Sequence, residues 1–273
     1  MFELFQLDFM LQALVFALIT GVLLSYLGVH VVNRGIVFVD LALGQISMLG
    51  VAVATLIGFG LTIVPLIFTL LGAILLSLIN VRDKRLKREA IIGIIYAVAS
   101  AFTVLLIAKT PHGDSDIQEV LFGNILTASV AQIKLTGIIF GVLMVIHVVF
   151  YKRFLALTFS LSEDDDHGSA RLSIWNFLFF ITIGLAIVFS VKLNGVILVF
   201  SYLIIPSVCG IMLAKKTKSV VVISILISIL GSFLGLYFSF HFDFPAGSSI
   251  VASLGAIFAL SSILSITKGK LIN

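Results

Sequence analysis

The chain has 273 residues, of which 60% are hydrophobic and only 11% charged, with a formal net charge of +4. A water-soluble domain carries about a quarter charged residues, and a mean hydropathy of +1.26 excludes that class. The apolar residues come in continuous blocks of about twenty, the length a helix needs to cross roughly 30 Å of hydrocarbon, whereas lipid-facing strands alternate and must close into a barrel.

The fold class expected is an all-α polytopic membrane protein of about nine transmembrane helices, or eight if the first block is misplaced. The predicted spans are 10–32, 36–57, 61–80, 90–108, 133–151, 174–191, 195–214, 219–240 and 248–266. Glu3 and Asp8 stand before the first block, which has no basic flank and no small-residue cleavage site. It reads as a span, not as a removable signal peptide. Span two carries Asp40 about one turn in, then Gln45 and Ser47. An ionisable residue inside a span is expensive and marks a functional candidate. Asp40 either lines a transport path or pairs with Arg34 near the interface.

Pro65 interrupts span three and Pro206 span seven, where each frees a backbone carbonyl and kinks the helix or lines a cavity. His147, late in span five, reads as a packed or interfacial histidine, with a ligand as the alternative. Cys209 sits inside an apolar block as a small packed hydrophobe, so no disulfide framework exists. In span eight, Gly231 and Gly235 form a G-x-x-x-G that lets another helix approach closely.

The charges of the connections orient the chain. Arg34, Arg82, Lys84, Arg85, Lys87, Arg88, Lys152, Arg153, Arg171, Lys215, Lys216, Lys218, Lys268 and Lys270 fall on one side, and Lys109, Lys134 and Lys192 on the other. The positive-inside rule then predicts the N-terminus outside and the C-terminus in the cytoplasm. Two connections exceed a turn. The outer one, 109–132, holds a mildly apolar stretch from Val120 to Ala128, expected to lie at the interface or dip back. The inner one, 152–173, holds the acidic run Glu163-Asp164-Asp165-Asp166, then His167 and Gly168. That run is either a solvated loop or a docking surface for a cytoplasmic protein.

No G-x-x-x-x-G-K-[ST] phosphate loop, H-E-x-x-H or G-x-S-x-G motif is present, so the chain is not expected to be an enzyme. No resident cofactor is expected, and the basic residues are explained by topology instead of nucleic acid.

Five stretches in order resemble the integral membrane permeases of ABC importers for zinc, manganese and related metals. They are RGIVFVDLALGQISMLGVA from Arg34, REAIIGIIYAVAS from Arg88, DIQEVLFGNILTAS from Asp116, NGVILVFSYLIIPSVCG from Asn194 and DFPAG from Asp243. The resemblance runs from about residue 10 to 265. It implies a single transmembrane permease domain over 1–273, in the bacterial cytoplasmic (inner) membrane, working as a dimer with a second copy or paralogue. A cytoplasmic ABC ATPase would hydrolyse the ATP, and an extracytoplasmic metal-binding protein would deliver a divalent metal (manganese, zinc or iron) as cargo. The inner loop would carry the coupling helix, with Glu163, Asp164, Asp165, Asp166, Gly168 and Arg171 as contacts to the ATPase.

Aligned on Gly50, the family's metal-contacting histidine falls on Gln45 and its aspartate on Leu41, with Asp40 one position away. The metal candidates here are therefore Asp40 and Gln45. The transport path is expected to be bordered by Asp40, Gln45, Ser47, Ser201, Tyr202 and Pro206. The rival readings are an ATP-independent secondary transporter or channel, and a membrane-embedded assembly factor without a substrate path.

Overall fold

A computed structural model describes residues 7–79, 87–109, 123–160 and 170–267, and no strand occurs among them. The helices are α1 (Asp8–Asn33), α2 (Val39–Ile57), α3 (Ile63–Leu78), α4 (Arg88–Ile107), α5 (Val130–Val149), α6 (Tyr151–Ser160), α7 (Ala170–Leu213), α8 (Thr217–Phe242) and α9 (Ala246–Thr267), with one 3-10 turn at Ile125–Thr127. Among the described residues, seven helices are long and apolar enough to cross a membrane, including the stretch Ile174–Leu213, and α3 is a shorter apolar helix.

That 40-residue stretch would span about 60 Å if straight, twice the hydrocarbon thickness. It is not straight. Gly195 takes φ 73° and ψ 164°, outside the helical region, and the two arms on either side run in opposite directions. In the first arm Asn176 reaches the Ser77 carbonyl while Gly184 lies against Thr69 and Ala73, so this arm is antiparallel to α3. Its start also meets the end of α1, through Arg34 and Asn176. In the second arm Tyr202 lies beside Gly21 while Leu203 and Ser207 lie against Gly28, so that arm follows α1 toward the same end. The sequence expectation of two spans meeting at 191–195 therefore holds within one continuous run. Positive φ costs a residue with a β-carbon, and glycine escapes that cost.

Core packing relies on small residues where backbones meet. A β-carbon on Gly28 would stand 1.8 Å from the Leu203 carbonyl oxygen, so α1 and the second arm of α7 touch backbone to backbone. The Gly231/Gly235 pair accommodates α9 of the same chain, with Gly231 facing Leu254 and Gly235 facing the Ile250 backbone. Pro65 does not interrupt a helix. It sits in the first turn of α3, which starts at Ile63, where its missing N–H has no intrahelical partner to lose. Pro206 lies inside the second arm of α7 and is buried there.

Helix α6 was not expected from the sequence, which reads as a loop from 152. It buries Phe154, Leu157 and Thr158 and exposes Tyr151, Lys152 and Arg153. That i, i+3, i+4 spacing is the signature of a helix seated by one face. Of the stretch 120–128, residues 123–128 are described and contain the 3-10 turn, with Ile125 and Ala128 buried. The Gly123 backbone rests on the Asn194-Gly195 reversal, where a β-carbon would come within 2.3 Å of the Asn194 carbonyl carbon. Ser129 then caps α5 reciprocally with Gln132.

Candidate transport site

Asp40 occupies the first turn of α2 and is 2% exposed. Neither carboxylate oxygen has a hydrogen-bond partner. The amides of Leu41 and of Asp40 itself bear on the carboxylate electrostatically, in the sense a helix N-terminus favours, without hydrogen-bond geometry. From the sequence, Asp40 and Arg34 are close enough to pair. Arg34 instead directs its guanidinium to the Asn176 side-chain oxygen and stacks 4.4 Å above the Phe179 ring.

At about 100° per residue, Asp40, Gly44, Ser47, Met48 and Val51 form one stripe along α2. Gly44 packs against Val191 and Val196 on either side of the α7 reversal. Above it, Ser47, Met48 and Val51 line a cavity of about 130 Å³ between α2, α3, α5 and the first arm of α7. Its polar wall is Ser47, Thr62, Gln132, Thr136 and Lys192. Asp40 and Ser47 thus share a face, roughly 10 Å apart along the axis, with two valines between them. Gln45 is buried but lies about 140° around the helix from Asp40. The two metal candidates named from the sequence do not share a face of α2. Among the described residues no group of three or more His, Cys, Asp or Glu side chains converges.

Ser201 and Tyr202, two further path candidates, make hydrogen bonds within the bundle. Ser201 donates to the Ile197 carbonyl of its own helix at 2.8 Å. The Tyr202 hydroxyl meets Ser232 Oγ at 2.6 Å. Ser232 in turn donates to the Ser228 carbonyl, so the tyrosine is the donor. Tyr202 therefore joins α7 to α8 with its ring against Gly21 of α1. Glu163, Asp164, Asp165, Asp166 and Gly168 lie outside the described residues, and Arg171 is described by its backbone alone.

Asn194 was not singled out from the sequence. It is fully buried at the α7 reversal, and both side-chain polar atoms lack a hydrogen-bond partner. The available signal was Asn-Gly, a turn dipeptide, in the middle of an apolar run. Lys192, Gln132 and Thr136 were also passed over, because only tertiary packing gathers them around one cavity.

Residues 6–265 match the family described as the ABC 3 transport family. The chain belongs to that family. It is 26% identical over 270 residues to the manganese transport system membrane protein MntC of Halalkalibacterium halodurans, covering 98% of this chain and 91% of that protein. It is 27% identical to a probable iron transport system membrane protein of Haemophilus influenzae, covering 82% and 78%. The fold superposes on a solved structure of PsaBC from Streptococcus pneumoniae in complex with Fab, with a TM-score of 0.80 and 26% identity over 94% of this chain and 92% of that one. This family membership agrees with the resemblance seen in the sequence motifs, and the multi-pass helical architecture fits it.

Proposed function

We propose that the chain is the membrane-spanning subunit of an ATP-driven importer of divalent metal ions, working by alternating access powered by a separate cytoplasmic ATPase. Family membership and the relatives named for manganese and iron support this reading. The observation that carries it is Asp40. A carboxylate buried in a span, met only by the amides at the start of its own helix, costs several kcal/mol, and no side chain offsets that cost. Its stripe leads to the cavity at Ser47. Carboxylate and hydroxyl oxygens suit manganese or iron(II) better than zinc, which favours imidazole and thiolate.

The N-terminus is outside and the C-terminus in the cytoplasm. Two permease subunits form the transmembrane unit, and an extracytoplasmic protein delivers the metal. The segment 162–172, with Glu163, Asp164, Asp165, Asp166, Gly168 and Arg171, docks on the ATPase.

The test is uptake of radioactive manganese into proteoliposomes containing the permease and its co-purified ATPase, with the metal-delivering protein added on the outer face of the permease. Accumulation is expected only with ATP inside reach of the ATPase and is lost when hydrolysis is blocked. Accumulation independent of ATP would favour the secondary-transporter reading instead. In a Cys209→Ser background, Asp114→Cys is expected to label from outside intact cells, and labelling only after permeabilisation would reverse the topology.

A further inference from the structure

The acidic segment expected to dock on the ATPase is preceded directly in the chain by α6, and α6 is held to three transmembrane helices at once. Thr158 Oγ1 lies 2.7 Å from His30 Nδ1 on α1. The same hydroxyl donates to the Phe154 carbonyl at 2.8 Å. A hydroxyl has one hydrogen to give, so His30 donates from Nδ1 and Thr158 accepts. Phe154, one turn earlier, stacks on the His147 ring of α5, with centroids 4.2 Å apart and planes 16° from parallel. His147 is oriented by its Nδ1–H on the Leu143 carbonyl at 3.0 Å. On the α7 side, Phe154 meets the Trp175 ring edge-on at 5.8 Å.

Contacts continue from this seat into the bundle. One turn past His30, Arg34 stacks on Phe179 and donates to Asn176. Asn176 donates from Nδ2 to the Ser77 carbonyl in the last turn of α3 at 3.4 Å. Helix α3 packs on α2, the helix of Asp40, through Pro65 against Gly50 and Ile46 against Gly72.

We propose that α6 is the rigid seat through which force from the ATPase enters the transmembrane bundle, and that Thr158, His30 and the Phe154–His147 stack are its positioning residues. A short amphipathic helix that merely lay on the membrane would need an apolar face. It would not need a directed hydrogen bond to one helix and a near-parallel ring stack on another. These contacts fix both the rotation and the axial position of α6, as a lever must be fixed. The inference rests on the proposed ATP-driven function and adds where the coupling force enters the membrane.

The test uses the purified complex of permease and ATPase in proteoliposomes, with the metal-delivering protein present and manganese as the probe, and reads ATP hydrolysed per manganese imported. Wild type must first show ATP-dependent uptake, and failure there removes the proposed function and not this inference alone. Thr158→Val keeps shape and removes the hydroxyl. It is expected to leave ATP hydrolysis near wild type and to raise ATP consumed per manganese by roughly fivefold or more, within the range of ordinary coupling energies. Thr158→Ser is expected to restore the ratio. Phe154→Leu, which removes the stack and keeps an apolar side chain, is expected to uncouple in the same way. An unchanged ratio in both Thr158→Val and Phe154→Leu would overturn the inference. So would failure of both variants to assemble, since the cluster would then be plain structural core.

Discussion

Two sets of polar side chains are buried in this bundle, and the fold treats them in opposite ways. Around the Arg34 end of α1, His30, His147, Thr158 and Asn176 each have a named partner, and aromatic rings fill the gaps between them. At Asp40, and at Asn194 beside the α7 reversal, the side-chain atoms have no partner. Apart from the half-buried Asn176, both sets are hidden from solvent, so burial does not distinguish them. Hydrogen-bond satisfaction does. A satisfied buried network specifies one arrangement of helices, whereas an unsatisfied one costs stability and persists where function requires it. The first set fits architecture and the proposed lever, and Asp40 in the second set fits the proposed path.

The largest expected effect tests the unsatisfied set. Asp40→Asn is expected to lower manganese uptake by roughly tenfold or more, about 1.4 kcal/mol in barrier or binding, while the complex assembles normally. Asp40→Leu should lower uptake as far and also raise the thermal midpoint of the detergent-solubilised protein, because an unpartnered carboxylate is removed. Normal uptake by either variant would take the Asp40 stripe out of the path.

The satisfied set should respond with the opposite sign. His147→Leu loses the stack on Phe154 and the orienting bond to Leu143, and is expected to destabilise by about 1–2 kcal/mol. Thermal unfolding followed by tryptophan fluorescence would report it, since Trp175 packs on Phe154. A rise in the midpoint would erase the contrast between the two sets.

Tyr202 sharpens the boundary between them. The sequence suggests a path residue, but its hydroxyl is spent on Ser232. Tyr202→Phe is expected to cost about 1 kcal/mol, as interhelical hydrogen bonds in membranes do, and to leave manganese uptake within about twofold. A large uptake defect with unchanged stability would return Tyr202 to the path.

The smallest effect is expected at Asn194. Asn194→Ala removes two unpartnered polar atoms and opens a small void, so the opposing terms should leave stability within about 1 kcal/mol of wild type. A loss of several kcal/mol, read from the same thermal curves, would mean that the amide is bonded and belongs with the satisfied set.

The sequence by itself determined the solvent, and the long apolar helices and their order, but not α6. Continuous apolar blocks without a partner sheet have one stable form in a membrane, because each helix satisfies its own backbone hydrogen bonds. The break near 191–195 was legible too, because Lys192 separates two apolar blocks. The motif order from Arg34 to Gly247 carried the family. What the tertiary structure decided was which buried polar groups meet. Thr158 and His30 are 128 positions apart, and no local periodicity records such a pair. The face of α2 that borders a cavity likewise depends on where α5 and α7 lie. Asp40 and Gln45 look adjacent in sequence, but helical geometry turns them apart, and only the packing of Val191 and Val196 against Gly44 shows which stripe Asp40 shares.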